Sequence, residues 1–223
     1  MNYKVLVSDN LSKSVIKIFE EKGLEVSYCP EIGQEPHKLI QQIGKFDGIA
    51  IRSATILDKR ILDEAYNLKV IGRAGIGIDN IDLEIASSKG IVVMNTPFGN
   101  AITTAEHTIA MIFSAARHIP AADHSTRNGK WEKKKFVGME LSGKKLGLIG
   151  VGNIGSVVAN RAQALGMEIL AYDPFLSKER AKTLKVNRIS LLDELLIQSD
   201  IISLHLPKNK NTTNLLSKDK ISI

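Results

Sequence analysis

Residues 144–155 read KKLGLIGVGNIG, and residues 165–173, LGMEILAYD, follow them. These two stretches decide the fold of the second half of the chain. Residues 145–149 form a short apolar run of strand length that ends at a glycine. Gly150, Gly152 and Gly155 then fill the spacing G-x-G-x-x-G, and a helical apolar period runs over residues 154–165. A strand, a glycine-rich turn and a helix in that order open a βαβ unit of the kind that holds a dinucleotide. Each glycine has a mechanical task. Gly150 makes the tight strand-to-helix turn, Gly152 lets a pyrophosphate approach the backbone, and Gly155 lets the helix lie close to the strand. The start of the helix adds N–H groups and a partial positive charge.

A lone G-x-G-x-x-G is weak evidence, since a glycine-rich turn without a ligand has the same spelling. Here the flanking pattern is right, and Asp173 stands 23 positions after Gly150, near the ~20 expected for the carboxylate that binds the adenosine ribose. A carboxylate at that place accepts hydroxyl hydrogen bonds and repels a 2′-phosphate. Pro174 follows, with no arginine to neutralise such a phosphate. NAD is therefore expected over NADP. The expected cofactor contacts are Gly150, Gly152, Asn153, Ile154, Gly155 and Asp173.

Outward from this unit, composition narrows the classes. The chain has 223 residues, 43% hydrophobic and 24% charged, as in ordinary globular proteins. The net charge of +6 comes from scattered lysines and arginines, apart from Lys133, Lys134 and Lys135, and only 5% of residues are aromatic. Neither feature suits a nucleic-acid partner. Cys29 is the only cysteine, which excludes an internal disulfide and a cysteine-rich zinc site; no metal site is expected. No apolar run reaches the ~18 residues of a membrane helix, and the amino terminus enters a strand pattern without a signal-peptide pattern. The expectation is a cytoplasmic enzyme or binding protein.

Residues 1–94 alternate strand and helix. Strand patterns occupy 3–7, 24–28, 47–51, 69–71 and 91–94; helical ones occupy 11–22, 37–43, 58–66 and 82–88. Five strands alternating with helices predict a parallel sheet covered on both faces. The breaker cluster NTPFGN at 95–100 places the domain boundary after Pro97, giving domains 1–97 and 98–223. A long apolar helix is expected over 101–118, with Thr103 and Glu106 as a capping box, and a loop or solvated helix over 123–135.

After a last strand at 200–204 the sequence turns polar. Only the first mononucleotide half of a dinucleotide-binding domain is legible, with strands at 145, 168 and 200. A truncated chain is expected rather than a natural minimal domain, with an unpaired sheet edge that favours association.

Arg52 and Arg73 each end a strand, where open α/β sheets place ligand contacts. Two guanidiniums, with backbone N–H groups opened by Gly75 and Gly77, would suit a phosphate and a carboxylate. From the residues alone, two surface arginines paired with carboxylates fit equally well.

The blocks IRSAT (51–55), GRAGIGIDNIDLE (72–84), GIVVMNTPFGNAITTAEHTIAMI (90–112), ARHIP (116–120), GKWEKKKFVGMELSGKKLGLIGVGNIG (129–155) and YDP (172–174) together resemble the D-isomer-specific 2-hydroxyacid dehydrogenases. Within that family they resemble the branch that oxidises 3-phosphoglycerate. The resemblance implies an α/β enzyme of two domains: a flavodoxin-like substrate domain, then a Rossmann domain for NAD, of which this chain carries the first half. It implies an active site in the cleft between them and NAD-dependent oxidation of 3-phosphoglycerate to 3-phosphohydroxypyruvate in L-serine biosynthesis. It tips Arg52, Ser53, Arg73 and Gly75 towards substrate binding. Leu206 and Pro207, in the segment His205-Leu206-Pro207, it adds to the cofactor contacts. It also implies a homo-oligomer formed through the helix over 102–116.

The family's catalytic arginine, carboxylate and histidine lie beyond the third strand of the NAD domain and do not occur in residues 1–223. No catalytic residue is therefore assigned, and the chain as given is expected to be inactive. His205 reads as a structural histidine. Two other readings stay open: a glyoxylate or hydroxypyruvate reductase of the same family, and a non-catalytic NAD-binding or dimerisation module.

Overall fold

The computed structural model describes residues 3–222. The chain forms two compact units, Met1–Asn100 and Ala101–Ile223.

The first unit is a parallel five-stranded sheet. Its strands are β1 (Lys4–Val7), β2 (Glu25–Tyr28), β3 (Gly48–Ile51), β4 (Val70–Arg73) and β5 (Val92–Asn95), in the order β2-β1-β3-β4-β5. Four helices connect them: α1 (Lys13–Glu21), α2 (Pro36–Ile43), α3 (Lys59–Asp63) and α4 (Leu83–Ser88). Short polar residues start three of these. Ser12 accepts the Ser14 N–H, Asp58 the Ile61 N–H and Asp82 the Ile85 N–H. Such caps are worth about 1 kcal/mol each.

Successive strand residues face opposite sides. On one side Leu6, Ile49, Ile51 and Ile71 pack with Leu39 and Ile43 of α2, Ile61 and Leu62 of α3 and Ala86 of α4. On the other, Val7 and Ala50 pack with Leu11, Val15 and Phe19 at α1. Cover on the α1 side is incomplete, because Val92 and Met94 of β5 are exposed. The expectation of a sheet covered on both faces thus holds only over β1–β3.

The second unit opens with α5 (Ala101–Ala116) and α6 (Ile119–Arg127). Its parallel sheet has the order β8-β7-β6-β9, with β6 (Lys145–Ile149), β7 (Glu168–Tyr172), β8 (Asn187–Arg188) and β9 (Ile201–Leu204). The helices α7 (Asn153–Ala164), α8 (Lys178–Leu184) and α9 (Leu192–Gln198) connect the strands, and α10 (Lys218–Ile221) follows. Leu146 and Leu148 face Ala105 and Ile112 of α5 and Val158, Ala159 and Ala162 of α7. Ile149 and Leu170 face Leu195 and Leu196 of α9. β9 lies at the sheet edge, with Ile202 and Leu204 exposed.

Three local expectations change. The proposed capping box fails because α5 already begins at Ala101, so Thr103 lies inside the helix. Glu106 instead pairs with Arg161 at 3.0 Å. The polar stretch over 123–135 divides: α6 takes its first residues, with Pro120 in the first turn, and the rest is loop apart from one tight turn at Lys133–Lys135. β8 was not expected, since two exposed residues carry no readable period.

Candidate functional sites at the carboxyl edges of the two sheets

In the second unit, β6 runs into the glycine-rich loop and α7 leaves it. Gly150 has φ +94°, a left-handed value that strains any other residue. It is also crowded: a Cβ there would lie 2.4 Å from the His205 carbonyl oxygen. The expected tight turn is present, and its second reason is contact with the end of β9. Gly155 is crowded too, with the Gly150 oxygen 2.2 Å from an added Cβ. Gly152 is the opposite case. Nothing lies within 4 Å of a Cβ built on it, and as the residue before α7 it has no side chain to cap the first turn. Two glycines thus serve packing, and the third leaves open space at a helix N-terminus, which suits an anion.

Asp173 follows β7 and is half-buried. Its Oδ2 accepts the Val151 N–H at 2.9 Å, and its Oδ1 accepts the Phe175 N–H at 2.8 Å. The carboxylate therefore ties the glycine-rich loop to the end of the neighbouring strand. An ionised carboxylate offers about four lone-pair positions, so each oxygen keeps acceptor capacity for a ribose hydroxyl.

The remaining expected cofactor residues divide. Asn153 is the exposed first residue of α7. The Ile154 side chain packs into the core beneath that helix, so what this position can offer a ligand is backbone. Leu206 packs against the apolar cluster of Ile149, Leu170 and Leu195. The Pro207 carbonyl accepts the Thr212 hydroxyl at 2.6 Å. Between β9 and these two residues, the His205 ring Nε2 lies 2.9 Å from the Ser203 hydroxyl. Burial holds the His205 pKa below its ordinary value.

In the first unit the strand order reverses between β1 and β3, the position where open sheets bind ligands. Arg52 follows β3 and Arg73 ends β4; in the sheet register Ile51 lies opposite Arg73. Neither guanidinium pairs with a carboxylate among the described residues, so the ion-paired reading of these arginines fails. Arg52 is exposed, with a long contact of 3.4 Å from Nη1 to the Asn10 carbonyl. Ser53 is exposed beside it. The Arg73 Nε is buried without a hydrogen-bond partner, a cost of about 1–3 kcal/mol.

Gly75 differs from expectation. A Cβ on it would lie 2.6 Å from Arg73 Nη1, its N–H donates to the Arg73 carbonyl and its own carbonyl accepts from Thr96. Its N–H is thus spent within the loop, and the glycine makes room for the guanidinium. Sequence reasoning missed Asp9 in this region. Its Oδ2 accepts the Arg52 N–H at 2.5 Å and the Thr55 N–H at 3.3 Å. Asn80 donates to the carbonyls of Arg52 and Thr55, both at 2.7 Å.

Among the described residues no helix is long and apolar enough to cross a membrane, and no group of acidic, histidine or cysteine side chains is placed to hold a metal.

Residues 109–223, more than half of the chain, match the family model "D-isomer specific 2-hydroxyacid dehydrogenase, NAD binding domain". Over 215 residues the chain is 48% identical to D-3-phosphoglycerate dehydrogenase of Archaeoglobus fulgidus, covering 96% of this chain and 40% of that protein. The chain spans about two fifths of the length of the curated relatives it matches. Among solved structures, it is similar to NAD+-bound 3-phosphoglycerate dehydrogenase of Entamoeba histolytica, with a TM-score of 0.77, 32% identity, and 95% and 65% of the two chains covered. It is also similar to a glyoxylate reductase from Paecilomyes thermophila, with a TM-score of 0.88, 28% identity, and 99% and 70% covered.

Proposed function

The chain belongs to the D-isomer specific 2-hydroxyacid dehydrogenase family, and from that premise we propose that it serves the NAD-dependent oxidation of 3-phosphoglycerate to 3-phosphohydroxypyruvate, in L-serine biosynthesis. The observation that carries the reading is the loop between β6 and α7. Open space over Gly152, a helix start without a side-chain cap and the Asp173 carboxylate lie together at one edge of the sheet. These groups fit a dinucleotide: an anion at the helix start and a ribose at the carboxylate. Gly152, Asn153 and Ile154 would hold the pyrophosphate on the turn that Gly150 and Gly155 shape by packing, and Asp173 the ribose, in preference to a 2′-phosphate. Leu206 and Pro207 would border the cofactor. NAD bound there would supply the hydride acceptor.

The substrate half of the proposal rests on Arg52 and Arg73, with Ser53 beside them. Among the described residues their guanidiniums have no carboxylate partner, and the Arg73 Nε is buried and unpaired. A phosphate and a carboxylate on one small molecule match two such groups. The names of the relatives point the same way. Gly75 belongs to this site by making space for Arg73. To residues 1–223 we assign binding and orientation, and no proton transfer. His205 is engaged by Ser203, and His107 is exposed on α5. The proposal places the protein in the cytoplasm as a homo-oligomer; exposed Ile102 and Met111 on α5 support the second point.

Calorimetry on residues 1–223 should show NAD binding tighter than NADP, together with binding of 3-phosphoglycerate. The mixture should produce no NADH absorbance; turnover of ~1 per second or faster would defeat the assignment of binding alone. The likeness to a glyoxylate reductase supports a second reading, a reductase of small unphosphorylated acids. Arg73→Ala separates the two. It should weaken 3-phosphoglycerate about tenfold or more, the ~1.5–3 kcal/mol of a charge-assisted bond, and glyoxylate far less. Equal losses would favour the reductase.

A further inference from the structure

We propose that Asp9 is a positioning residue for the substrate: it fixes the loop that presents Arg52 and Ser53. The inference rests on the substrate reading above and extends it to a residue with no part in direct binding.

β1 ends at Val7 and its neighbour β3 ends at Ile51. At this reversal of strand order, Ser8, Asp9 and Thr55 are all buried, Asp9 to 3% exposure. Polar side chains at this depth persist only when they are hydrogen-bonded, and here their partners lie in one loop. The Asp9 carboxylate receives the N–H groups of Arg52 and Thr55 on a single oxygen. The Ser8 and Thr55 hydroxyls lie 2.9 Å apart. From the other side, the Asn80 amide holds the carbonyls of Arg52 and Thr55. The backbone of residues 52–55 is gripped through both its donors and its acceptors, while the side chains of Arg52, Ser53 and Ala54 stay exposed.

Two N–H groups converging on one point form a seat for an anion. In this unit the chain fills the seat with its own carboxylate. Asp9 thereby fixes where the Arg52 backbone sits and makes no ion pair with the Arg52 guanidinium. That side chain remains available for an external anion. Asp9 fills the crevice and leaves recognition to the exposed guanidinium of Arg52 and the half-buried one of Arg73.

The test uses the full chain with two readouts. Amide hydrogen exchange at Arg52 and Thr55 reports the loop; titration with 3-phosphoglycerate reports its use. Asp9→Ala should raise exchange at both amides at least tenfold and weaken 3-phosphoglycerate at least tenfold, with NAD affinity unchanged. Asp9→Asn keeps an acceptor oxygen at the same reach and should restore both within about threefold. If Asp9→Ala does not fold, Asp9→Ser replaces it, since its hydroxyl is one bond too short. Unchanged exchange overturns the proposal. So does lost protection with undiminished substrate affinity, or an Asn variant as impaired as Ala. If the unaltered chain takes up no 3-phosphoglycerate while Asp9→Ala still frees the two amides, the substrate reading fails and the fixing of the loop by Asp9 stands.

Discussion

Asp9 stands two residues beyond β1 in the first unit, and Asp173 directly follows β7 in the second. Each turns its carboxylate onto two backbone N–H groups. The outcomes differ. Asp9 is almost wholly buried and takes both donors on one oxygen. Asp173 is half-buried and takes one donor on each oxygen. The glycines beside them diverge in the same way. Gly75 makes room for the guanidinium of Arg73, whereas Gly152 faces empty space. In the first unit the chain supplies the anion of its own loop and leaves the Arg52 side chain exposed. In the second unit the backbone itself is left open. A small substrate that must be told apart by charge suits side chains; a pyrophosphate, common to many cofactors, suits a backbone cradle.

The glycines give the strongest way to break this comparison. Gly150→Ala places a side chain at φ +94° and 2.4 Å from the His205 carbonyl. Strain of about 1–3 kcal/mol from the backbone alone, with overpacking added, should lower the thermal midpoint markedly and abolish NAD binding. Gly152→Ala meets nothing and should leave stability within about 0.5 kcal/mol, yet weaken NAD tenfold or more in calorimetry. NAD affinity unchanged in Gly152→Ala would show that the open space is not a ligand seat. The contrast between the two units would then collapse.

Asp173 sharpens it next. Asp173→Ala removes the acceptor for Val151 and Phe175 together with the group proposed for the ribose. NAD affinity should fall about tenfold and the preference over NADP should narrow, consistent with loss of ~1.5 kcal/mol or more. Asp173→Asn can still accept an N–H from the loop but carries no charge. If it keeps NAD affinity yet loses the preference, loop fixing and cofactor choice are separate functions of one side chain. If it keeps both, the charge plays no part in selection.

The strand and helix order was legible because the apolar runs are short, regular and interrupted by glycine or aspartate. The glycine-rich loop was legible because spacing, strand and helix coincide with Asp173. Features that depend on side chains meeting across the chain were not. Gly75 reads as an opened backbone until the guanidinium is seen lying against it. Thr103 and Glu106 have the spelling of a cap, but α5 starts two residues earlier and Glu106 finds Arg161, 55 positions away. Asp9 reads as an ordinary turn residue after a strand. The available signal was the pair Ser8-Asp9 following the apolar run VLV, since polar residues at a buried strand end need partners. Those partners sit more than 40 positions on, at Arg52 and Thr55, out of reach of any local pattern.

The smallest expected effect is the response of the two units to acid. In the first unit the notable carboxylates are held below their ordinary range. The hydrogen bond from Lys69 lowers Asp47, that from Arg60 lowers Asp58, and that from Lys59 lowers Asp63. A carboxylate with a lowered pKa stabilises the fold above its unfolded value and loses that contribution only as pH falls through the folded one. These groups are therefore silent until pH drops below about 4. In the second unit His205 is lowered by burial; the sign is the same as for the carboxylates, and the window lies higher. The unfolded chain takes up a proton near pH 6.5, while the folded chain resists it, so stability falls as pH descends through that value and is unaffected well above it. Between pH 7.5 and 5.5, hydrogen-exchange protection should decline slightly in β6 and β7 and hold constant in β1 and β3. His205→Asn should flatten the decline. Equal pH dependence in both units, or a decline unchanged in His205→Asn, would place the acid-sensitive group elsewhere than beside the glycine-rich loop.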